Sequence, residues 1–152
     1  MINLNWSDLD LYYLRYDKDA WIIIGGKVLL NHQTNPNSFE NSCAIRVSRA
    51  LNKSGCIVPY LPGRTLSGVN YTWHFYRVKD LKAFLINRYD IADIISTDRK
   101  KFSNKRGVIC FDISYLDASG HFTLFDGINI LGGEHDTDYY FQNASNIYLW
   151  IV

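Results

Sequence analysis

A cysteine at position 43 stands in "NSCAIRVSRALNKSG", residues 41–55, just after an asparagine and a serine. A thiol reacts as its thiolate. Placement at the start of a helix lowers a thiol's pKa, because free N–H groups and the helix dipole favour negative charge. The same N–H groups can hold an oxyanion. Such a nucleophile needs a base, and the chain has four histidines: His32, His74, His121 and His135. His121 is the best placed, directly after Gly120 at the opening of "GHFTLFDG". Strand alternation sets His121, Thr123 and Phe125 on one face and Phe122, Leu124 and Asp126 on the other. An imidazole at the rim of a sheet can be aimed at a helix terminus packed on that sheet. A third group must orient the ring; the acids downstream are Asp126, Glu134, Asp136 and Asp138.

The residue types also allow plainer roles. A cysteine on an apolar helix arc packs well as a small hydrophobe. His32 lies in a polar stretch and reads as solvated; His74, in "YTWHFYRV", reads as packed among aromatics. Arg46, Arg49 and Lys53 read as a solvated helix face, with Arg46 one turn from the thiol. The acids of "GEHDTD" suit turns as well as a metal-binding cluster.

The elements that must position these groups follow from periodicity. "NWSDLDLYYLRY" predicts a first helix, with Ser7 as N-cap and Asp10 completing the cap. "AWIIIGGKVLL" reads as β-prone, broken at Gly25 and Gly26, and "NHQTNPNS" as a polar loop. From residue 43, the helical angle of about 100° per residue gathers Cys43, Ala44, Val47, Ala50 and Leu51 on one arc. Asn41 or Ser42 can cap its start and Gly55 its end. "VPYLPGRTLSGVN" is a turn-rich connection and "VKDLKAFLINRY" a strong amphipathic helix. "DIADIISTDRKKFSNKRG" leads, helical or irregular, into a β-rich end: "GVICFDI", a turn at "LDASG", "HFTLFDG", a loop at "NILGGEHDTD" and "NIYLWIV". Helices first and strands last predict an α+β fold with an antiparallel sheet.

Composition bounds the rest. The 152 residues suit one domain, 1–152. Apolar residues make up 47% and aromatics 15%, which argues against disorder. The net charge of +1 gives no electrostatic case for nucleic acid or an anionic membrane. No apolar run approaches the roughly 18 residues of a membrane span, and "MINLNWSDLDLYY" lacks a basic segment leading an apolar core, so no secretory signal is expected. The three cysteines, Cys43, Cys56 and Cys110, fit no zinc spacing, and their odd number leaves a free thiol.

Four blocks occur in order: "GGKV" at 25–28, the cysteine block at 41–55, "GHFTLFDG" at 120–127 and "IYLW" at 147–150. Together they resemble the fourth family of type VI secretion amidase effectors, over nearly the whole chain. That resemblance implies a papain-like, NlpC-superfamily fold and a peptidoglycan amidase. Its bond would join D-glutamate to meso-diaminopimelate in the stem peptide. It implies delivery by the type VI machinery into the periplasm of a rival bacterium, and a cognate immunity protein that blocks the active site. It matches Cys43 to the family nucleophile and His121 to the family base, as a thiolate–imidazolium pair without metal or organic cofactor. The Cys43 N–H is expected to hold the oxyanion. Some members carry two cysteines that close the loop after the catalytic strand; this chain has none after Cys110. Asp136 is taken as the orienting acid ahead of Asp138, Glu134 and Asp126, the last being on the wrong strand face. The alternatives are a papain-like amidase or acyltransferase on another substrate, and a silent binding protein on the same fold.

Overall fold

The computed structural model describes residues 1–36, 41–114 and 120–152. The turn expected at "LDASG" and the end of the polar loop at "NHQTNPNS" lie outside them, save their flanking residues. Helix α4, Cys43–Lys53, runs through the middle. Its first arc packs Cys43, Ala44, Val47, Ala50 and Leu51 against Phe122 and Leu124 of the sheet and Leu81 and Leu85 of α5, Val78–Tyr89. Small side chains on this arc let the helix approach the sheet closely.

The opposite side of α4 is covered too. Ile45 packs with Leu14, Ala20, Ile24 and Val28 from an N-terminal layer. That layer comprises α1 (Trp6–Tyr12), α2 (Ala20–Ile24) and α3 (Gly26–Thr34). The β-prone reading of "AWIIIGGKVLL" is therefore corrected. Asp19 caps α2 by accepting from the Ile22 N–H, and burying Ala20, Ile24 and Val28 at four-residue spacing outweighs the β preference of the isoleucines. Gly25 and Gly26 have φ of 64° and 57°, and a Cβ on Gly26 would come within 2.7 Å of the Ser67 carbonyl. Only glycine allows this turn between two helices. The first helix is capped by Asn5, not Ser7: the Asn5 side chain accepts from the Asp8 N–H.

The strands β1 (Thr65–Ser67) and β2 (Trp73–Phe75) form a small antiparallel pair beside α4. Ser48 of α4 holds this pair, accepting from the Phe75 N–H at 3.0 Å. The main sheet has four strands, β3 (Ile94–Ser96), β4 (Gly107–Asp112), β5 (Gly120–Phe125) and β6 (Asn146–Ile151), in the order β3-β6-β4-β5. Every pairing is antiparallel, with Phe111 opposite His121 and Cys110 opposite Phe122. The far face carries Ile109, Phe111 and Phe125 against Phe141 and Tyr140 of α6, Thr137–Asn143. Strand β5 is an edge strand, and the site lies along its free edge.

The solvated face expected for α4 is also corrected. Arg46 is only 6% exposed. Its guanidinium donates to Ser42 Oγ (2.8 Å) and to the carbonyls of Leu14 (3.0 Å) and Arg15 (2.7 Å), and it lies 4.2 Å over the Tyr16 ring. A planar fork can meet these acceptors while stacking; an ammonium cannot. Arg49 likewise donates to the Tyr12 carbonyl. Only Lys53 is exposed. Arg46 thus ties the N-terminal layer to the start of α4. Arg46→Met should cost about 2–4 kcal/mol by leaving buried carbonyls unpaired, read from urea denaturation, and Arg46→Lys should restore little of it.

Candidate active site

Cys43 is the first residue of α4, with Ser42 in the N-cap position. The Ser42 side chain makes no capping bond; Asn41 serves the helix start instead, its Oδ1 accepting from the Cys43 N–H at 3.0 Å. That N–H, expected to hold an oxyanion, is thus engaged at rest. The sulfur sits among donors: the Phe122 and Ala44 N–H groups, the Asn41 side chain and its own N–H all favour its thiolate. The Phe122 N–H is the telling one. Cys110 and Phe122 are opposed in the β4–β5 ladder, and the Leu124 carbonyl, of the same parity, bonds outward to the Leu131 N–H. The Phe122 N–H thus belongs to the free edge of β5, and the start of α4 closes that edge at the cysteine.

His121 precedes Phe122. Its ring stacks on Tyr140 with centroids 4.3 Å apart and meets the edge of Tyr16 at 6.3 Å. Nε2 is 2.9 Å from the Gly132 carbonyl oxygen. The ring donates there through Nε2–H, which leaves the Nδ1 lone pair as the basic site. The Gly132 N–H donates to Thr123 Oγ1 (3.2 Å), which also bonds the Tyr13 hydroxyl (3.0 Å). The loop is thereby clamped to β5 just ahead of its carbonyl. A Cβ on Gly133 would fall 2.9 Å from His121 Nε2 and 2.8 Å from the Tyr140 ring; one on Gly132 would fall 2.5 Å from the Tyr13 hydroxyl. The two glycines let the backbone reach the imidazole.

The acids are occupied elsewhere. Asp136 is the N-cap of α6, its Oδ1 accepting from the Tyr139 N–H at 2.8 Å. Asp138 pairs with Arg99 at 2.6 Å. Asp126 accepts from the Ile128 and Asn129 N–H groups of its own turn. Glu134 is exposed. The hydrogen-bond acceptor at the imidazole is thus the Gly132 carbonyl. Sequence reasoning named Asn41 as a cap but passed over Gly132 and Tyr16; its one available signal for the carbonyl was the adjacent glycine pair in "LGGEH". Of the other histidines, His32 stacks on Trp21, His135 stacks on Tyr139 and His74 is buried. Cys56 and Cys110 are buried free thiols. Among the described residues, no group of three or more His, Cys, Asp or Glu could hold a metal ion.

Electrostatics departs from the helix-dipole expectation. Cys43 is 1% exposed and His121 4%. Burial pushes the thiol up to about 11 despite the donors around it, and pushes the imidazole down to about 4. Desolvation penalises each charged form more than local dipoles favour it. Burial thus opposes the thiolate and the imidazolium alike.

The comparisons agree with this architecture. Residues 39–150 match the family described as type VI secretion system (T6SS) amidase effector protein 4. The Tae4 effector of Salmonella typhimurium, solved with the immunity protein Tai4 of Enterobacter cloacae, superposes with a TM-score of 0.85 at 25% identity, covering 99% of each chain. Tae4 in the Tae4–Tai4 complex of Enterobacter cloacae gives 0.84 at 28% identity, again over 99% of each chain. Tae4 of Enterobacter cloacae solved by itself gives 0.77 at 30% identity, over 97% of this chain and 92% of that one. No curated protein sequence matches. The fold is the mixed helix and antiparallel-sheet architecture of the papain-like NlpC class. The chain belongs to the T6SS amidase effector protein 4 family, antibacterial hydrolases of peptidoglycan. No helix among the described residues is long and apolar enough to cross a membrane.

The site yields two predictions. His121 and His74 both have folded pKa values near 4, against 6.5 for the free side chain. The unfolded chain therefore binds more protons between those values, and stability is lost as pH falls from about 6.5 towards 4, by up to about 3 kcal/mol for each histidine. Urea titrations at stepped pH should show this slope, and His121→Gln should remove its share. Separately, Gly133→Ala should displace the imidazole or its Tyr140 partner. Hydrolysis of peptidoglycan should fall by about 100-fold, the scale of a misplaced catalytic group, while the variant remains folded by circular dichroism.

Proposed function

We propose that the chain is a cysteine amidase that cleaves the bond between D-glutamate and meso-diaminopimelate in peptidoglycan stem peptides. Cys43 is the nucleophile, His121 the base and the Gly132 carbonyl the orienting group. The observation that carries this reading is the closure of the β5 edge by Cys43. Its sulfur lies where the Phe122 amide favours the thiolate, one residue from a histidine whose Nε2 is held by a backbone carbonyl. Membership of the amidase effector family supports the substrate class, and the resemblance in the cysteine block supports the bond.

With a neutral pair at rest, attack and proton transfer go together. The thiol proton passes to His121 Nδ1 as the sulfur bonds the γ-glutamyl carbonyl carbon. Negative charge forms on the carbonyl oxygen, within reach of the donors that surround the sulfur, the Asn41 amide and the Ala44 N–H. The C–N bond breaks, and the leaving amine takes the proton from His121. Water, giving a proton to the same nitrogen, then hydrolyses the thioester and restores the thiol. Throughout, the Gly132 carbonyl holds Nε2–H and favours the charged ring. Asp136 contributes at one remove, by fixing the start of α6 and hence Tyr140 behind the imidazole.

Delivery by the type VI machinery into the periplasm of a target cell gives the enzyme its wall. A cognate immunity protein seated over the Cys43–His121 edge would protect the producer, as the Tae4–Tai4 complexes of the relatives suggest.

Purified protein incubated with sacculi should release muropeptides ending in D-glutamate, identified by mass spectrometry. Cys43→Ala and His121→Ala should release none. Asp136→Ala should lose about 1 kcal/mol of stability as a lost cap and keep its rate to within about tenfold, far short of the about 10²-fold cost of an unoriented base. A collapse in that variant's rate with folding intact would return the orienting role to Asp136. Alkylation of Cys43 by iodoacetamide should accelerate with pH towards about 11, whereas a plateau already reached near about pH 6 would show a resting ion pair.

A further inference from the structure

A second polar cavity lies at the other end of α4. It is bordered by Arg49, Asn52 and Lys53 of α4, by Asn70 and Thr72, and by His74 of β2, and its volume is about 120 Å³. Residues 49 to 53 are six to ten positions beyond Cys43, or roughly 9–15 Å along the helix, so the cavity is separate from the site above. Isoleucines and Val69 form the rest of its wall, and no carboxylate lines it.

Three observations give this cavity a ligand. His74 is 2% exposed, and its Nδ1 is buried without a hydrogen-bond partner. Burial keeps the ring neutral against the favourable Leu66 carbonyl, and Nδ1 is left to a partner from the cavity. Buried polar atoms are almost always satisfied, and an orphan beside a cavity marks a place for a partner. The groups around it are cationic: Arg49 acts on His74 with its positive charge, and Lys53 borders the same space. The lip is strained, since Asn70 and Tyr71 have φ of 58° and 57°. Consecutive non-glycine residues in the left-handed region are costly, and such strain collects at ligand clamps.

We propose that this cavity binds a small tetrahedral oxyanion of the phosphate class, held by Arg49, Lys53 and His74. A hydrogenphosphate group has what the walls lack. Its charge draws a proton onto His74 Nδ1, which donates to one oxygen, and its remaining oxygens accept from Arg49 and Lys53. A room for about four waters admits one such group. A carboxylate offers fewer acceptors. Free phosphate and a phosphate monoester share this chemistry, and the proposal covers both.

Imidazole NMR of the full-length protein tests it, with inorganic phosphate as the probe near about pH 6, where His74 is neutral when free. Saturable movement of the His74 resonances towards imidazolium values, with His32 and His135 unmoved, is expected. Arg49→Gln and Lys53→Gln should each weaken the apparent affinity by about tenfold or more. Lys53 is exposed, so its variant folds and keeps the test valid if Arg49→Gln does not. Affinity should fall as pH rises through the His74 pKa of the complex. Glycerol phosphate in a parallel titration separates the sources: binding of both assigns a monoester site, and binding of phosphate alone a free-ion site. A response matched by chloride at equal ionic strength, a uniform drift of all histidines, or undiminished binding in both variants overturns the proposal. Muropeptide release by Lys53→Gln reads the amidase separately, so failure here leaves that reading standing.

Discussion

The free edge of β5 is the constraint around which the molecule is arranged. An edge strand exposes a row of N–H and C=O groups that must be capped or paired. Here the capping is divided. The start of α4 lies at the Phe122 N–H, which favours the Cys43 thiolate, and the loop at 131–132 takes the Leu124 carbonyl and the Thr123 hydroxyl. Both caps bring reactive groups with them. Covering a strand edge and assembling a thiol, an imidazole and its acceptor are one structural act.

That arrangement requires α4 to be fixed at its first turn, where a helix is least constrained. The N-terminal layer supplies the restraint. Ile45 is packed against Leu14, Ile24 and Val28, and Arg46 reaches back to Ser42, Leu14 and Arg15. A buried guanidinium with only neutral acceptors is costly, since no carboxylate offsets its desolvation. Its position one turn after Cys43, stacked on the Tyr16 ring that also meets His121, gives that cost a purpose. It holds the two halves of the site in one register, and an apolar side chain of equal size would supply packing without direction.

The sequence made some of this visible for definite physical reasons. Helix α5 was readable to its last residue because Val78, Leu81 and Leu85 repeat at helical spacing. The pairing of Cys43 with a helix start and of His121 with a strand start was readable because caps and glycines mark those boundaries. The isoleucine run at 22–24 was misread because tertiary burial overrode its local preference. Helix α6 was missed because "YYFQN" is too short and too aromatic to show a period. The Gly132 carbonyl could not be read at all. A backbone oxygen has no residue type, so a search among carboxylates returned Asp136, which sits four residues away and shapes the same loop as a helix cap.

In the proposed mechanism, burial of the thiol and the imidazole changes where the chemistry obtains its driving force. An exposed cysteine at a helix start would rest as thiolate and react with any electrophile. Here the ion pair is disfavoured until something offsets its desolvation. The incoming peptide is that something. Its carbonyl gives the sulfur's electrons somewhere to go, and the charge that develops moves from sulfur to an oxygen near the Asn41 and Ala44 donors. Donors that only partly stabilise the resting thiolate are then better matched to the transition state than to the ground state, which is the condition for them to raise the rate. The Gly132 carbonyl works in the same sense from the other side. It bonds the neutral ring modestly and the imidazolium strongly, so its contribution grows as the proton arrives. On the proposed mechanism, a neutral pair with donors already in place stays quiet towards solvent and adventitious electrophiles and becomes reactive when a correctly seated amide completes the circuit.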